Sequence, residues 1–414
     1  MTQVDVRALA REAEADCASA FARIDEISHI CTEKVLSAFA KERVALTDFA
    51  PSTGYGYDDV GRDKLDRLYA DAFGAEAALV RPQFFNGTHT IACALYALLR
   101  PGDTLLSAAG APYDTLLGVI QGKDGEGSLA EYGISYAELA FNEDMPAYLA
   151  ALSAKCGEIR PKVVLIQRSR GYSQRRTLTV GEIRCMAEAV HAVCPEARVV
   201  VDNCYGEFCE TEEPCAVGAD LQCGSLIKNP GGGLAPCGGY VAGKKDAVAL
   251  VAARLTVPGI GAEVGANPAG YRAFYQGFFM APHTVAQALR TAVFAARLLE
   301  KMGYAPSPAY DVPRSDVIQT LTFHAPDPMI AFCRGIQSGS PVDSFAAPEP
   351  WAMPGYADPV IMAAGAFVQG ASIELSADGP LREPYTVYMQ GGLTYESGRL
   401  GILRAAEEIA KLSD

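Results

Sequence analysis

Short apolar runs alternate with helical stretches through the middle of this 414-residue chain, and that alternation admits few folds. Ala77–Val80, Thr104–Ser107, Val163–Gln167 and Val199–Asp202 show no polar alternation. A strand buried on both faces has no polar face to display, so such runs belong to a largely parallel sheet with helices on both sides. Helices are expected over His89–Leu99 and Thr179–Val193. Turns fall at Asn86-Gly87-Thr88 and Pro101-Gly102-Asp103, where turn-forming residues gather. Gln222–Leu226 and Gly238–Ala242 form another strand pair around a Gly-rich loop. Strands alternating with helices predict an α/β fold.

The flanks differ. Val4–Lys41 repeats apolar residues at three and four, which predicts a helix. Asp48–Asp59 is rich in Pro, Gly and Tyr and reads as an extended arm. A helix through Leu65, Leu68, Tyr69 and Phe73 should stop at Gly74. A long Ala-rich helix is expected from about His283 to Lys301. Beyond Tyr304 come Pro-rich segments and short alternating strands such as Val317–Phe323. The chain thus divides into an N-terminal helix and arm (1–60), a large domain (61–304) and a smaller α+β domain (305–414).

Charge and composition exclude some functions. The net charge is −14 and the pI about 4.9, which argues against a nucleic-acid binder but leaves room for a small anion held by local cations. No apolar run reaches the ~20 residues of a membrane span. Met1–Ala20 is polar and Ala-rich, with acids at Asp5, Glu12, Glu14 and Asp16, unlike a signal peptide. A cytoplasmic protein with reduced cysteines is expected. Cys204, Cys209, Cys215, Cys223 and Cys237 crowd together, but their spacings match no standard zinc pattern, so buried thiols and no metal are expected.

Three features carry chemistry. The first is Ser225-Leu226-Ile227-Lys228-Asn229-Pro230 followed by Gly231, Gly232 and Gly233. A lysine after an apolar strand is costly to bury as an ammonium. A Schiff base to a carbonyl cofactor removes that cost, and desolvation keeps the amine nucleophilic. The glycines allow close approach to a bulky ligand, and the Ser225 hydroxyl suits a phosphate. A solvated lysine in a surface turn would give the same motif. The second feature is Asp202, at the C-terminal end of a buried parallel strand, where α/β folds bind ligands. A carboxylate there can pair with a protonated pyridine nitrogen, or it can merely form a turn. The third is Asn86, Gly87 and Thr88 at a helix start, where backbone N–H groups and the helix dipole suit a phosphate. A plain N-cap fits as well. Tyr113, just past the next strand, can stack on a flat ring or belong to the core.

Taken in order, the phosphate turn, the aromatic, the strand-end Asp202 and, 26 residues on, Lys228 make the linear layout of fold-type-I pyridoxal 5′-phosphate (PLP) enzymes. Val201–Phe208, Ser225–Pro236, Thr53–Asp59, Gln167–Tyr172, Pro258–Gly265 and Arg382–Tyr385 resemble the aluminium-resistance, or methionine γ-lyase-like, family of these enzymes, and the resemblance covers nearly the whole chain. The wider Cys/Met-metabolism group has Ser-x-Thr-Lys at the lysine and a Ser-Gly-Met phosphate turn. Here Ile227 and Asn86-Gly87-Thr88 replace them, as in a divergent branch.

The resemblance implies a mainly parallel seven-stranded sheet flanked by helices, with a smaller C-terminal α+β domain. It also implies a homotetramer, a dimer of dimers with active sites at the dimer interface. Tyr55 and Tyr57 would then reach the partner's PLP phosphate, though the arm could simply pack at the surface. A substrate carboxylate calls for an arginine fork. Arg382 is the first choice and Arg399 the second. Arg170 stands where it can touch the ring hydroxyl or the substrate, and Arg168 fits a salt bridge equally well. Glu207 and His283 are expected to be structural. The implied activity is carbon–sulfur lysis of a sulfur-containing amino acid, giving a thiol, ammonia and a 2-oxo acid. Lys228 would take the α-proton, Asp202 would keep the ring protonated, and Tyr113 would protonate the leaving thiolate. Aldol cleavage, transamination or racemisation could run on the same scaffold. A non-catalytic metal-stress protein is a further alternative, but metal capture gives no reason for Lys228, Asp202 and the phosphate turn to assemble.

Overall fold

The computed structural model describes residues 5–122, 125–173, 175–353 and 358–413. Its central sheet has seven strands: β1 (Ala77–Arg81), β2 (Thr104–Ser107), β3 (Ser135–Glu138), β4 (Val163–Gln167), β5 (Arg198–Asp202), β6 (Leu221–Ser225) and β7 (Gly239–Gly243). Their order is β1-β7-β6-β5-β4-β2-β3. From β6 to β3 all pairs are parallel, whereas β7 runs antiparallel to β6 and to β1. Strands β4, β6 and β7 are buried at every position, which explains their unalternating sequences. In register, Asp202 lies between Gln167 on β4 and Cys223 on β6, so β4 and β5 end side by side while β6 runs on to Ser225.

The helix expected over Val4–Lys41 is two helices, α1 (Val6–Asp16) and α2 (Ala18–Lys41); Val4 lies outside the described residues. The ladder ends at Cys17, whose N–H is shared between the carbonyls of Ala13 and Glu14. Next, α3 (Val60–Phe73) starts at an Asp59 cap and stops at Gly74, whose φ of 69° suits a residue without Cβ. Helices α4 (Gly87–Leu98) and α5 (Asp114–Gln121) cover one sheet face. Helices α6 (Met145–Ile159) and α7 (Val180–Val193) cover the other, and α8 (Lys245–Leu255) returns to the first. The pleat sorts the strand residues between these layers. Val163, Leu165 and Val200 join the α4–α8 core, while Val164, Ile166, Val199 and Val201 join the α6–α7 core.

Helix α9 (Arg272–Lys301) begins well before the expected His283 and runs through Pro282. Proline usually ends a helix. Here nearly continuous burial along α9 supplies the packing that carries the helix past it. A second, antiparallel sheet follows, made of β8 (Ala305–Ser307), β9 (Gln319–Thr322), β10 (Val360–Ala364), β11 (Ser376–Pro380) and β12 (Thr386–Gln390), in the order β10-β11-β12-β9-β8. Helices α10 (Pro326–Ser338) and α11 (Tyr395–Ala410) pack against each other beside it. Among the described residues, no helix is long and apolar enough to cross a membrane.

The α10–α11 contact depends on glycine, since a Cβ on Gly335 would lie 2.3 Å from Ala405 Cα. Gly335→Ala should therefore overpack this contact and cost about 1–3 kcal/mol. A lower melting midpoint than wild type would show it, and an unchanged midpoint would refute the close-packing account.

Candidate functional site

A cavity of about 880 Å³ opens where the ends of β4, β5 and β6 face the second sheet. Asn86, Gly87, Thr88, Tyr113, Asp202, Ser225 and Lys228 line one wall, and Arg170 and Arg382 also border the cavity. The fold thus brings most of the sequence-derived candidates to one place.

Lys228 stands in the turn after β6 with its Nζ 3.7 Å from the centre of the Tyr205 ring. Tyr205 has a left-handed backbone, φ 74°, which is uncommon for a tyrosine. Asn229 Nδ2 holds the two loops together by donating to the carbonyls of Tyr205 (3.0 Å) and Glu207 (2.9 Å). Burial opposes the charge on the free Lys228 amine, but Cys204, Tyr205 and Asp202 around it outweigh that and raise its pKa. The glycines after Lys228 do not serve a ligand, as the sequence suggested. A Cβ on Gly231 would lie 1.7 Å from Leu226 O, and one on Gly232 would lie 2.2 Å from Gly277 O on α9. Their freedom is used to press the turn against the protein itself.

Asp202 is buried at the end of β5, and its Oδ1 accepts a hydrogen bond from the Cys204 amide (3.1 Å). Burial raises its pKa, and the Lys228 charge works against that rise. Asn86 caps α4 by accepting from His89 N (2.8 Å), so its side chain is committed to the helix. The amides of Gly87 and Thr88, in the first turn, have no intrahelical acceptor. A Cβ on Gly87 would lie 3.2 Å from Cys204 Sγ and 3.4 Å from Ser225 Cβ, so the start of α4 sits directly against Ser225. Ser225 Oγ is buried and has no hydrogen-bond partner. Such an orphan hydroxyl costs about 1–3 kcal/mol until something bonds to it. Thr88 Oγ1 and Tyr113 Oη are 3.0 Å apart, and Tyr113 N donates to Gln167 Oε1 (3.1 Å). Burial, with Asp202 adding to it, pushes the Tyr113 phenol well above its usual range, so it stays protonated.

The arginines separate clearly. Arg382 is exposed at the cavity rim and pairs with Asp358 (3.1 Å). Arg170 is buried; it donates to Arg175 O (2.9 Å), Ser307 O (3.1 Å) and Thr320 Oγ1 (3.0 Å), and burial lowers its pKa. Arg168 does not line the cavity: it is fully buried and binds Asn203 Oδ1 (2.7 Å), Gly206 O (3.0 Å) and Glu210 (2.7 Å). Arg399 pairs with Glu14 (3.0 Å), away from the cavity. Tyr55 and Tyr57 are also outside it, 69% and 60% exposed, with rings stacked 5.4 Å apart. Among the described residues, no group of three or more His, Cys, Asp or Glu side chains converges as metal ligands would.

Several lining residues were not singled out from sequence, among them Gln167, Tyr172, Tyr205, Asp378, Tyr388 and Gln390. Tyr205 was within reach, three residues after the strand-end Asp202. Gln167 ends β4 beside Asp202, and Asp378, Tyr388 and Gln390 reach the cavity only through the pairing of the second sheet.

The residues present fit PLP. The orphan Ser225 hydroxyl and the free α4 amides suit its phosphate, Asp202 its pyridine nitrogen, and Lys228 its carbonyl carbon. With this sheet and this strand-end arrangement, the chain is a fold-type-I enzyme of the PLP class. It shares the fold, at 20% identity and a TM-score of 0.64 over 94% of this chain and 97% of the other, with the PLP-dependent protein YhfS of Escherichia coli. More narrowly, it belongs to the methionine gamma-lyase family, which it matches over residues 6–410. A Listeria innocua protein provisionally named as a cystathionine beta-lyase involved in aluminium resistance is 48% identical, with a TM-score of 0.94 over 98% of this chain and 99% of that one. A Clostridium novyi carbon-sulfur lyase involved in aluminium resistance is 47% identical, with a TM-score of 0.93 over 98% and 96% of the two chains.

Behind the lysine turn, Glu207 is fully buried. Its Oε1 accepts from Tyr240 Oη (2.9 Å) and its Oε2 has no partner. Burial pushes its carboxyl up to about 8. The folded protein therefore holds a proton that the unfolded chain releases near the ordinary Glu value of about 4.3. Stability from this group is full below that value, falls as pH rises, and levels off above about 8. Glu207→Gln removes the titration. The melting midpoint of the variant should gain on wild type between pH 5 and 8, at no more than about 1.4 kcal/mol per pH unit, and hold steady above. A difference that does not change with pH would show that Glu207 is ionised in the fold.

Proposed function

We propose that this chain is a PLP-dependent carbon–sulfur lyase that acts on a sulfur-containing amino acid and yields a thiol, ammonia and a 2-oxo acid. One observation carries the proposal: Lys228, Asp202 and the unpartnered Ser225 hydroxyl converge on one cavity at the start of α4. The choice of a carbon–sulfur bond is supported by the family and by the name of the Clostridium novyi relative.

Bound PLP supplies a carbonyl for the substrate's amine and a ring that accepts electrons. Ser225 Oγ, Thr88 Oγ1 and the amides of Gly87 and Thr88 would hold its phosphate, with the α4 dipole favouring the charge. Asp202 would pair with the pyridine nitrogen and keep it protonated. Lys228 would hold the cofactor's carbonyl carbon, and its Nζ would serve as the base for the α-proton. Tyr113, whose buried phenol stays protonated at the cavity wall, would supply the proton that the departing sulfur takes up. Arg382 receives the α-carboxylate by exchanging its hold on Asp358, with Arg170 supporting the same region. The exposed pair Tyr55 and Tyr57 would reach the phosphate site of a second copy in a homotetramer of two dimers. The cytoplasm suits an enzyme whose twelve cysteines are all free.

Purified protein should absorb in the visible, lose that band on borohydride reduction, and carry the cofactor on the peptide containing Lys228. Lys228→Ala should lose thiol release by at least about 10³-fold, read with a thiol reagent across a panel of sulfur amino acids. Release of an aldehyde or a new amino acid without thiol would move the reaction to another PLP type. Separately, Ser225→Ala should weaken PLP binding to the apoenzyme about tenfold, measured by titration. An unchanged affinity would remove Ser225 from the phosphate site.

A further inference from the structure

The cavity wall formed by the second sheet carries two carboxylates and one arginine. Asp358 is matched by Arg382 at the rim. Asp378, in the middle of β11, is not matched. Its Oδ1 accepts from the Tyr172 hydroxyl (2.6 Å) and its Oδ2 from Gln390 Nε2 (3.3 Å), and both donors are neutral. Among the described residues no cation is ion-paired with it, and Lys228 is the cation whose charge reaches it. A carboxylate has about four acceptor sites, so two donors leave capacity to spare. Burial pushes its carboxyl up to about 6, which leaves it ionised at neutral pH.

We infer that Asp378 forms an anionic subsite for an ammonium group at the far end of the substrate's side chain. An amino acid with an alkyl side chain brings a carboxylate for Arg382 and an amine for the cofactor, and nothing for Asp378. A side chain that ends in an amine past the sulfur satisfies all three. The rings of Tyr172 and Tyr388, with centroids 4.8 Å apart, stand beside the carboxylate. Asp378 and Tyr388 are direct cross-strand neighbours, so their side chains share one face of the sheet. Aromatic faces add attraction for a cation. The substrate class is therefore an amino acid whose sulfur carries an amino-bearing substituent, as opposed to a simple alkyl thioether. Only the position of the sulfur rests on the lyase proposal; the cation subsite does not.

The test uses holoenzyme and two sulfur-free ligands of similar length, L-lysine and L-norleucine, with affinities measured by calorimetry. Wild type should bind L-lysine at least about tenfold more tightly. Asp378→Asn keeps the shape and the acceptor for Tyr172, and should bring the two ligands within about twofold of each other. Equal affinities in wild type, or a lysine preference that survives in Asp378→Asn, would overturn the inference. The wild-type ratio decides the matter even if the variant does not fold. In a second arm, thiol release from S-(2-aminoethyl)-L-cysteine and S-propyl-L-cysteine is compared. Asp378→Asn should lower kcat/KM for the first about tenfold more than for the second. If neither compound yields thiol while the lysine preference holds, the lyase proposal fails and the subsite stands. If both yield thiol equally and lysine is not preferred, the reverse is true.

Discussion

Backbone meets backbone where the lysine turn rests on α9, and the position of the site depends on that contact. Gly231 O and Gly277 face each other so closely that a Cβ on Gly277 would lie 2.3 Å from the oxygen. Gly232 meets the Gly277 carbonyl in the same way. Neither side of this contact has room for a methyl group. The turn after β6 is thereby fixed at one height above the sheet, with Lys228 directed over Tyr205. Because α9 is buried along most of its length, the surface on which the turn rests is itself held in place.

A buried polar network supports the other side of the lysine. Arg168 ties Asn203, Gly206 and Glu210 together, and Asn203 Nδ2 donates to Glu213 (2.7 Å). Glu213 in turn accepts from the Phe208 amide (2.8 Å). Within this frame Tyr205 and Phe208 both keep left-handed backbones. Strain of that kind persists where the surroundings over-determine it. Removing one member of such a network leaves buried charge behind, which is costlier than the loss of a single bond. Arg168 is thus a structural residue that fixes the loop carrying Tyr205.

The legible part of the fold was the part buried on both sides. Strands β4 to β7 have one sequence character because both faces meet helices or core. Edge strand β3 is largely open and went unread, and so did β11, whose Ser-Ala-Asp-Gly-Pro sequence has no strand pattern. Asp202 and Ser225 end strands and Lys228 and the α4 start come just after strands, so position along the chain is enough to place all four at the cavity. Asp378 and Tyr172 are 206 residues apart and meet only where the second sheet faces the end of β4, so no local signal marks the pair. The glycines after Lys228 look the same in sequence whether a ligand or a helix comes close, and here α9 is what comes close.

Arg170 bonds Ser307 on β8 and Thr320 on β9 while sitting just beyond the end of β4. The two walls of the cavity are therefore fastened together on that side by a buried side chain. Widening the cavity there would strand a guanidinium away from water and from its acceptors. The rim that carries the exposed Arg382–Asp358 pair has no such penalty. The cavity is therefore built like a clasp with a riveted end and a loose end, and molecules should come and go by the loose one.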